Sequence, residues 1–244
     1  MTAIAASGLR ARMESLELLA NNVANASTGG YKADREFYSL YAAEEAQGGE
    51  EADPVSTMPV IDRPWTDLSQ GLLEVTGNPL DVALSGNGLF TVEGPQGKLY
   101  TRNGSFRLAA TGKLVTPDGY AVRALDGASL TLDSSRAIDI SSDGTVSQDG
   151  QAVGRLQIAQ FANPGDFVKQ GNNYFRAARP DVQPGTMATP SVEQGKLEAS
   201  NTGTAESAVR LVSVMRQFEM LQKAVSLGAE MNRQAVEQVA RVGS

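Results

Sequence analysis

The stretch SAVRLVSVMRQFEMLQKAVSLGAEMNRQAVEQVAR, residues 207–241, decides the fold of this chain. It contains no proline and a single glycine, Gly228. The stretch therefore predicts one uninterrupted α-helix. At about 1.5 Å per residue the helix is roughly 50 Å long. This is far longer than the average helix of a globular protein, which indicates an extended structural element.

Apolar side chains recur along this helix at alternating steps of three and four residues, the spacing of a coiled-coil seam. The seam comprises Leu211, Val214, Phe218, Leu221 and Val225, and it continues through Ala229, Asn232, Val236 and Val239. Two steps of four meet at Val225, which relaxes the left-handed supercoil locally. A stripe of this length requires a partner helix.

The partner is predicted at the other end of the chain, over residues 3–25. There the same spacing places Ala6, Leu9, Met13, Leu16, Ala20 and Val23 on one face. An ordinary amphipathic helix packed on its own domain is the alternative. Two heptad helices at the two ends, with β-like sequence between them, favour instead a coiled-coil-like pair that buries both stripes.

Three asparagines, Asn21, Asn22 and Asn25, stand at the end of the first helix and are followed by Ser-Thr-Gly-Gly at residues 27–30. Asparagine and glycine tolerate positive φ, so this composition predicts a helix stop and a sharp turn. Buried asparagine side chains need hydrogen-bond partners. We expect these residues to serve as contacts between helices or subunits rather than in catalysis.

The region between residues 71 and 171 has the pattern of a compact antiparallel β body. Short β-like runs occur at residues 80–84, 89–92, 98–102, 120–122 and 154–161, the last being the clearest alternating strand. Turn dipeptides separate them, at residues 87–88, 103–104, 118–119, 126–127, 143–144 and 149–150, each Asn-Gly or Asp-Gly. Such dipeptides favour tight hairpins.

The predicted fold class is therefore α+β, with the terminal helices paired as a coiled-coil-like module and a central antiparallel β domain. The predicted domains are residues 1–35 with 200–244 for the helical module, 36–70 for an extended or loop arm, and 71–199 for the β domain. Within the arm, residues 44–54 are acidic and rich in glycine, which predicts a solvated loop.

Composition excludes several classes of function. The chain has 244 residues, a net charge of −7 and neither histidine nor cysteine. The acidic balance argues against a nucleic-acid partner. The absence of histidine and cysteine from the sequence excludes histidine-based triads, thiolate nucleophiles and cysteine-ligated zinc. Carboxylate-pair chemistry of the glycosidase kind remains open, so an all-β carbohydrate-binding or carboxylate-pair glycoside-active protein is the alternative from another class.

Local motifs give no cofactor or metal site. Residues 139–144 imitate the first half of a calcium loop, but Gly150 stands where the bidentate glutamate is required, so a β-turn is expected. A Gly-x-Gly at residues 86–88 lacks the third glycine and a following helix. No transmembrane run is present, and the N-terminus lacks the pattern of a cleavable signal peptide. We expect no direct insertion into a membrane, and either a cytoplasmic location or export without a cleaved signal.

Four blocks of the sequence resemble bacterial flagellar rod and hook proteins. They are ANNVANASTGGYKA at residues 20–33, TGNPLDVALSGNGLF at 76–90, YTRNGSF with GKLVT at 100–106 and 112–116, and QGKLEASN at 194–201. Gly29 stands where the family usually has proline or asparagine, and Leu89 stands where phenylalanine is commoner. The segment RQFEM at 216–220 resembles the proximal-rod type more than the distal-rod type.

The resemblance implies a structural subunit of the flagellar basal-body rod, not an enzyme. Such subunits polymerise helically through their terminal helices into a hollow shaft that transmits torque and conducts exported subunits. Partners would be further copies, neighbouring rod proteins and the flagellar type III export apparatus. No nucleic acid, small-molecule substrate or cofactor is implied, and the location would be the basal body, across the periplasm. The expected assembly interface comprises Leu9, Met13, Leu16, Ala20, Asn21, Asn22, Val23 and Asn25, with Leu211, Val214, Phe218, Leu221 and Val225.

Overall fold

The structure is a computed structural model that describes residues 2–35, 38–42, 57–61, 65–171 and 173–242. The predicted acidic loop at residues 44–54 lies outside these ranges. For Ala6, Asn232, Val236 and Val239 the structure describes the backbone and not the side chain. The chain forms two compact units. Mixed α and β structure with antiparallel strand pairing confirms the coarse fold class.

The first unit comprises residues 1–24, 34–65 and 204–244. It contains α1 (Thr2–Ala24), β1 (Asp34–Arg35), β2 (Tyr38–Ala42), β3 (Thr57–Ile61) and α2 (Thr204–Val242). Strands β2 and β3 pair antiparallel, and α1 contacts both α2 and β3. The predicted C-terminal helix is confirmed, and it begins three residues before the predicted start.

The second unit comprises residues 25–33 and 66–203 and is built from short strands. Strand β4 (Trp65–Thr66) contains the point at which the chain passes from the first unit to the second. The strands that follow are β5 (Leu73–Val75), β6 (Val82–Ser85), β7 (Leu89–Gly94), β8 (Gly97–Thr101), β9 (Arg107–Leu108), β10 (Leu114–Val115), β11 (Ala121–Val122) and β12 (Ile138–Ile140). The rest are β13 (Thr145–Gln148), β14 (Gln151–Arg155), β15 (Ile158–Gln160), β16 (Phe167–Gly171), β17 (Tyr174–Ala177), β18 (Gly185–Thr186), β19 (Ser191–Gln194) and β20 (Lys196–Glu198).

The main sheet of this unit has the order β16-β17-β8-β7-β11-β10-β9, and β15 joins it by pairing with β7 and β18. Smaller sheets are β12-β13-β14, β19-β6 and β20-β5. Adjacent residues of β7 enter different hydrophobic clusters: Phe90 packs in the larger one and Leu89 in the smaller one. This follows from strand geometry, since successive side chains point to opposite faces. Burial of a side chain such as Phe90 contributes about 1.5–3 kcal/mol.

Two sequence predictions for the β region can be compared directly with the structure. The hairpin turn at Asp149-Gly150 is confirmed: φ is 50° and 76° at its two residues, which join β13 to β14. The single strand predicted over residues 154–161 is wrong. The chain leaves β14 after Arg155 and enters β15 at Ile158, and these strands belong to different sheets. Leu156, between them, bridges instead to Ala124.

Candidate assembly surface

The half-buried stripe of α2 comprises five residues, which form the first part of the predicted seam, whereas Ala229, where the prediction continues the seam, is exposed. Leu211, Val214, Phe218, Leu221 and Val225 are all half-buried. We call them the inner stripe. Almost all other described side chains between residues 208 and 231 are exposed. The inner stripe is therefore the side of α2 that the rest of its unit covers, and α1 is one of the elements in contact with this helix.

A second apolar stripe runs along α2 and is exposed. Val209, Met220, Leu227 and Met231 keep 71%, 63%, 62% and 69% of their surface open. We call these four residues the outer stripe. Their spacings of 11, 7 and 4 residues bring them to within about 40° of one another around the helix axis, at about 100° per residue.

The outer stripe borders an open groove along the N-terminal half of α2. The groove has a volume of about 560 Å³ and is lined by Ala208, Val209, Val212, Ser213, Arg216, Gln217 and Met220. Its lining is mostly apolar, with Arg216 as its charged residue. A groove bordered by exposed large apolar side chains is a feature of protein interaction surfaces.

The covered face of α1 differs from the predicted one. The buried residues are Ala11, Ser15, Leu19 and Asn22, at steps of four, four and three. On the predicted seam, Leu9, Leu16 and Val23 are half-buried, whereas Met13 is 51% exposed and Ala20 is exposed. The expectation that pairing within one chain buries the whole α1 stripe is therefore wrong. Small side chains such as Ala11 and Ser15 permit a close approach that a search for large apolar residues misses.

The asparagines at the end of α1 have different surroundings. Asn22 is buried, and its side-chain amide donates to the backbone oxygen of Asp34 at 2.7 Å. Its side-chain oxygen accepts from the Asp34 amide at 3.0 Å. Asn25 accepts from the Thr28 hydroxyl at 3.3 Å, and Asn21 is exposed. Asn22 and Asn25 thus hold their own chain at the turn, and their role between subunits stays a prediction.

Sequence reasoning missed a buried ion cluster in the β unit. Glu198 is fully buried, and its Oε1 accepts from the Lys32 ammonium at 2.5 Å and from the Gly71 amide at 2.8 Å. Its Oε2 accepts from the Arg102 guanidinium. The side chains of Lys32 and Arg102 are 2% and 3% exposed. Buried charges require such pairing, since an unpaired ion away from water is costly.

The two cations of this cluster also bond to backbone oxygens. Lys32 donates to Ser69 at 2.6 Å, and Arg102 donates to Leu84 at 2.6 Å and to Gly88. Burial lowers the pKa of Lys32, and the bond to Glu198 opposes this shift. No spacing in the sequence predicts this cluster, because 166 residues separate Lys32 from Glu198. The available signal was the presence of both residues in the blocks that resemble flagellar proteins.

The loop that imitates a calcium site is a turn. Asp143 accepts from the Thr145 amide at 3.1 Å and from the Thr145 hydroxyl at 2.8 Å, which uses both carboxylate oxygens. Among the residues that the structure describes, no three acidic, histidine or cysteine side chains form a group suited to a metal ion. No helix in the described part of the chain has the length and apolarity needed to cross a membrane.

Three family descriptions match separate parts of the chain. "Flagella basal body rod protein" matches residues 3–32. "Flagellar hook protein FlgE/F/G D1 domain" matches residues 83–148, and "Flagellar basal body rod FlgEFG protein C-terminal" matches residues 193–238. The first and last of these matches fall mainly on α1 and α2, and the middle one falls on the β unit.

Whole-length relatives carry names from the same family. The flagellar basal-body rod protein FlgF of Caulobacter vibrioides is 31% identical over 93% of this chain and 92% of its own length. The rod protein FlgG of Agrobacterium fabrum is 34% identical over 94% and 95%, respectively. FlgG of Bacillus subtilis is 30% identical over the same shares.

Proposed function

This chain belongs to the family of flagellar basal-body rod proteins, and from that membership we propose how its two helices build the rod. It is a structural protein of the flagellar basal body and assembles with other flagellar rod proteins. In the proposed assembly, copies stack helically through α1 and α2. The β unit takes the outer position, and the helices line a hollow shaft that transmits torque and conducts exported subunits.

The outer stripe of α2 is the observation that carries this proposal. Within one chain, Val209, Met220, Leu227 and Met231 keep 62–71% of their surface exposed along a helix of 39 residues. Covering apolar surface contributes about 25 cal/mol per Å², so docking of a neighbouring helix on this stripe is favourable. The inner stripe is used within the chain, which leaves the outer stripe to neighbours.

The exposed residues of α1 extend the proposed interface. Met13 and Ala20 lie off the buried face of α1, and Asn21 is exposed beside them. The exposed residues of α1 and the outer stripe of α2 therefore offer neighbouring copies two different contact surfaces. Contacts between different surfaces of identical subunits are heterologous and generate helical arrays when they do not close into a ring.

We assign the chain to the proximal-rod type, with the distal-rod type as the alternative. The segment RQFEM at residues 216–220 supports the proximal type. The relatives carry both names at similar identity, 31% for the FlgF relative and 34% for the FlgG relative. Export through the flagellar type III apparatus is part of the same proposal.

The experiment is deletion of the gene, followed by isolation and electron microscopy of basal bodies. Loss of swimming and a rod interrupted at its base are expected for the proximal type. A rod that lacks only its distal part points to the distal type. Normal rods and normal swimming would overturn the proposal.

The alternative of a glycoside-active protein has its own test. Incubation of the purified chain with peptidoglycan fragments is expected to release no reducing ends. Saturable binding or cleavage would revive that alternative.

A further inference from the structure

The chain passes from one compact unit to the other at four places, between residues 24 and 25, 33 and 34, 65 and 66, and 203 and 204. Three segments of the β unit therefore adjoin these passages: residues 25–33, 66–71 and 198–203. Any force that reaches the β unit along the chain from α1 or α2 enters through them. How these three segments are held decides whether that force is transferred or lost in local unfolding.

The three segments are bonded to one another. The backbone amide of Gly30 donates to the backbone oxygen of Glu198 at 2.6 Å. The backbone amide of Asn201 donates to the backbone oxygen of Tyr31 at 3.3 Å. The Asn201 side-chain oxygen accepts from the Ala33 amide at 2.8 Å, and its side-chain nitrogen donates to the Asp67 backbone oxygen at 2.7 Å. A single side chain thus links all three segments.

Glu198 lies at the centre of the same arrangement. Its carboxylate binds Lys32 of the first segment and the Gly71 amide of the second, while Arg102 fixes it to the main sheet next to β8. Lys32 in turn bonds to Ser69. Because Glu198 is fully buried, water does not compete for these bonds.

Lys169 of β16 and Asn173, which immediately precedes β17, hold segment 25–33 at further points. Lys169 donates to the Lys32 backbone oxygen at 2.6 Å, and its ammonium lies 4.3 Å from the centre of the Tyr31 ring. Asn173 donates to the Gly29 backbone oxygen at 2.7 Å. Segment 25–33 is therefore attached to the β unit at both ends of its Gly-Gly-Tyr-Lys sequence.

We propose that Glu198 is a positioning residue that holds residues 25–33, 66–71 and 198–203 together as one preformed attachment. We call these three bonded segments the mount. Load from the terminal helices enters the β unit through the mount. The load-carrying part rests on the proposed rod function, whereas the mount itself is a property of the single chain. The bonds of the mount then lie within each subunit, although its residues stand in sequence blocks next to the assembly helices. The residues concerned are Gly30, Tyr31, Lys32, Glu198 and Asn201. The competing interpretation is that they contact neighbouring subunits.

Hydrogen–deuterium exchange on the soluble full-length chain separates the two interpretations. We compare the amides of Gly30, Ala33, Asp67, Gly71 and Asn201 with those of Val92 and Val122 in the main sheet. In Glu198→Gln the first group is expected to exchange at least tenfold faster, with the main sheet unchanged. Lys32→Met should produce the same local effect. The controls are Glu193→Gln and Lys196→Met, whose partly exposed pair lies outside the cluster.

Unchanged exchange in Glu198→Gln would overturn the mount. If that variant loses protection everywhere, the exchange of the same amides is measured in Asn201→Ala instead. This substitution removes the links to Ala33 and Asp67 without unpairing a charge. Faster exchange confined to the three segments supports the mount, and unchanged exchange overturns it. Swimming in a viscous medium reports separately on load. Faster exchange with normal swimming would keep the mount and reject its part in torque transfer.

Discussion

Phe218 and Met220 lie two residues apart on α2 and about 200° apart around its axis, so that one is half-buried and the other is 63% exposed. Phe218 belongs to the inner stripe, which its own unit covers. Met220 belongs to the outer stripe and to the open groove beside it. The same substitution at these two positions should therefore have different consequences.

Met220→Asp should leave the soluble chain folded and block its incorporation into rods. The free energy of unfolding should change by no more than about 0.5 kcal/mol, because the side chain is exposed. Incorporation should fall at least tenfold, a cost of about 1.4 kcal/mol or more for a carboxylate in an apolar contact. Quantitative blotting of isolated basal bodies measures this. Met215→Asp, which is exposed and outside the groove, is the matched control and should incorporate normally.

Phe218→Asp should damage the helical unit in the soluble chain as well as assembly. Placing a charge on the half-buried stripe should cost about 1–3 kcal/mol, while the β unit stays folded. The helical circular dichroism signal should decrease, and assembly and swimming should be lost. Phe218→Leu should preserve assembly and swimming. Normal swimming of the aspartate variant would contradict the assignment of the inner stripe.

The adjacent glycines Gly29 and Gly30 should respond differently to alanine. Gly30 has a φ of +67°, and a Cβ there would lie 2.5 Å from the backbone of Arg102 and Asn103. At Gly29 the nearest atoms to a Cβ lie 3.6 Å or more away. Gly30→Ala should cost on the order of 2 kcal/mol or more, from positive φ and steric overlap. Gly29→Ala should cost less than about 0.5 kcal/mol. Equal thermal stability of the two variants would contradict this geometry.

Glu193 should contribute to stability at neutral pH and lose that contribution in acid. Hydrogen bonds from Lys196 and Ser85 hold the pKa of its carboxyl below the usual 4.5. A lowered folded-state pKa means that stability is present above pH 4.5 and decreases as the pH falls through the folded pKa. Glu193→Gln should therefore reduce the loss in free energy of unfolding between pH 6 and pH 3 by on the order of 0.5 kcal/mol. Denaturant unfolding at the two pH values measures this difference. An unchanged pH dependence in this variant would contradict the assignment.

The parts of the fold that follow a local period were predictable from the sequence. The inner stripe was found from its steps of three and four residues because burial on a helix follows that period. The hairpin at Asp149-Gly150 was found because its residue types match the backbone angles that the turn requires.

The parts that depend on distant contacts were not predictable. The buried face of α1 contains Ala11 and Ser15, which no hydrophobic pattern marks. The outer stripe of α2 is interrupted by polar positions such as Ser213 and Arg216, so no regular apolar period marks it in the sequence. The Lys32–Glu198 pair joins positions 166 residues apart, and only the folded chain brings them together.

In the proposed rod, neighbouring subunits cover the outer stripe of α2. The chain contains no cysteine, so one introduced thiol reports on a single position. We would measure maleimide labelling of Met220→Cys in the soluble chain and in isolated basal bodies. Val153→Cys, at an exposed position of the β unit, is the reference, and labelling after denaturation gives the total thiol content.

We expect Met220→Cys to be labelled fully in the soluble chain and at least tenfold more slowly in basal bodies, with a much smaller change for Val153→Cys. Equal labelling of Met220→Cys in both states would contradict this proposal, because the outer stripe would then remain open to solvent in the assembled rod.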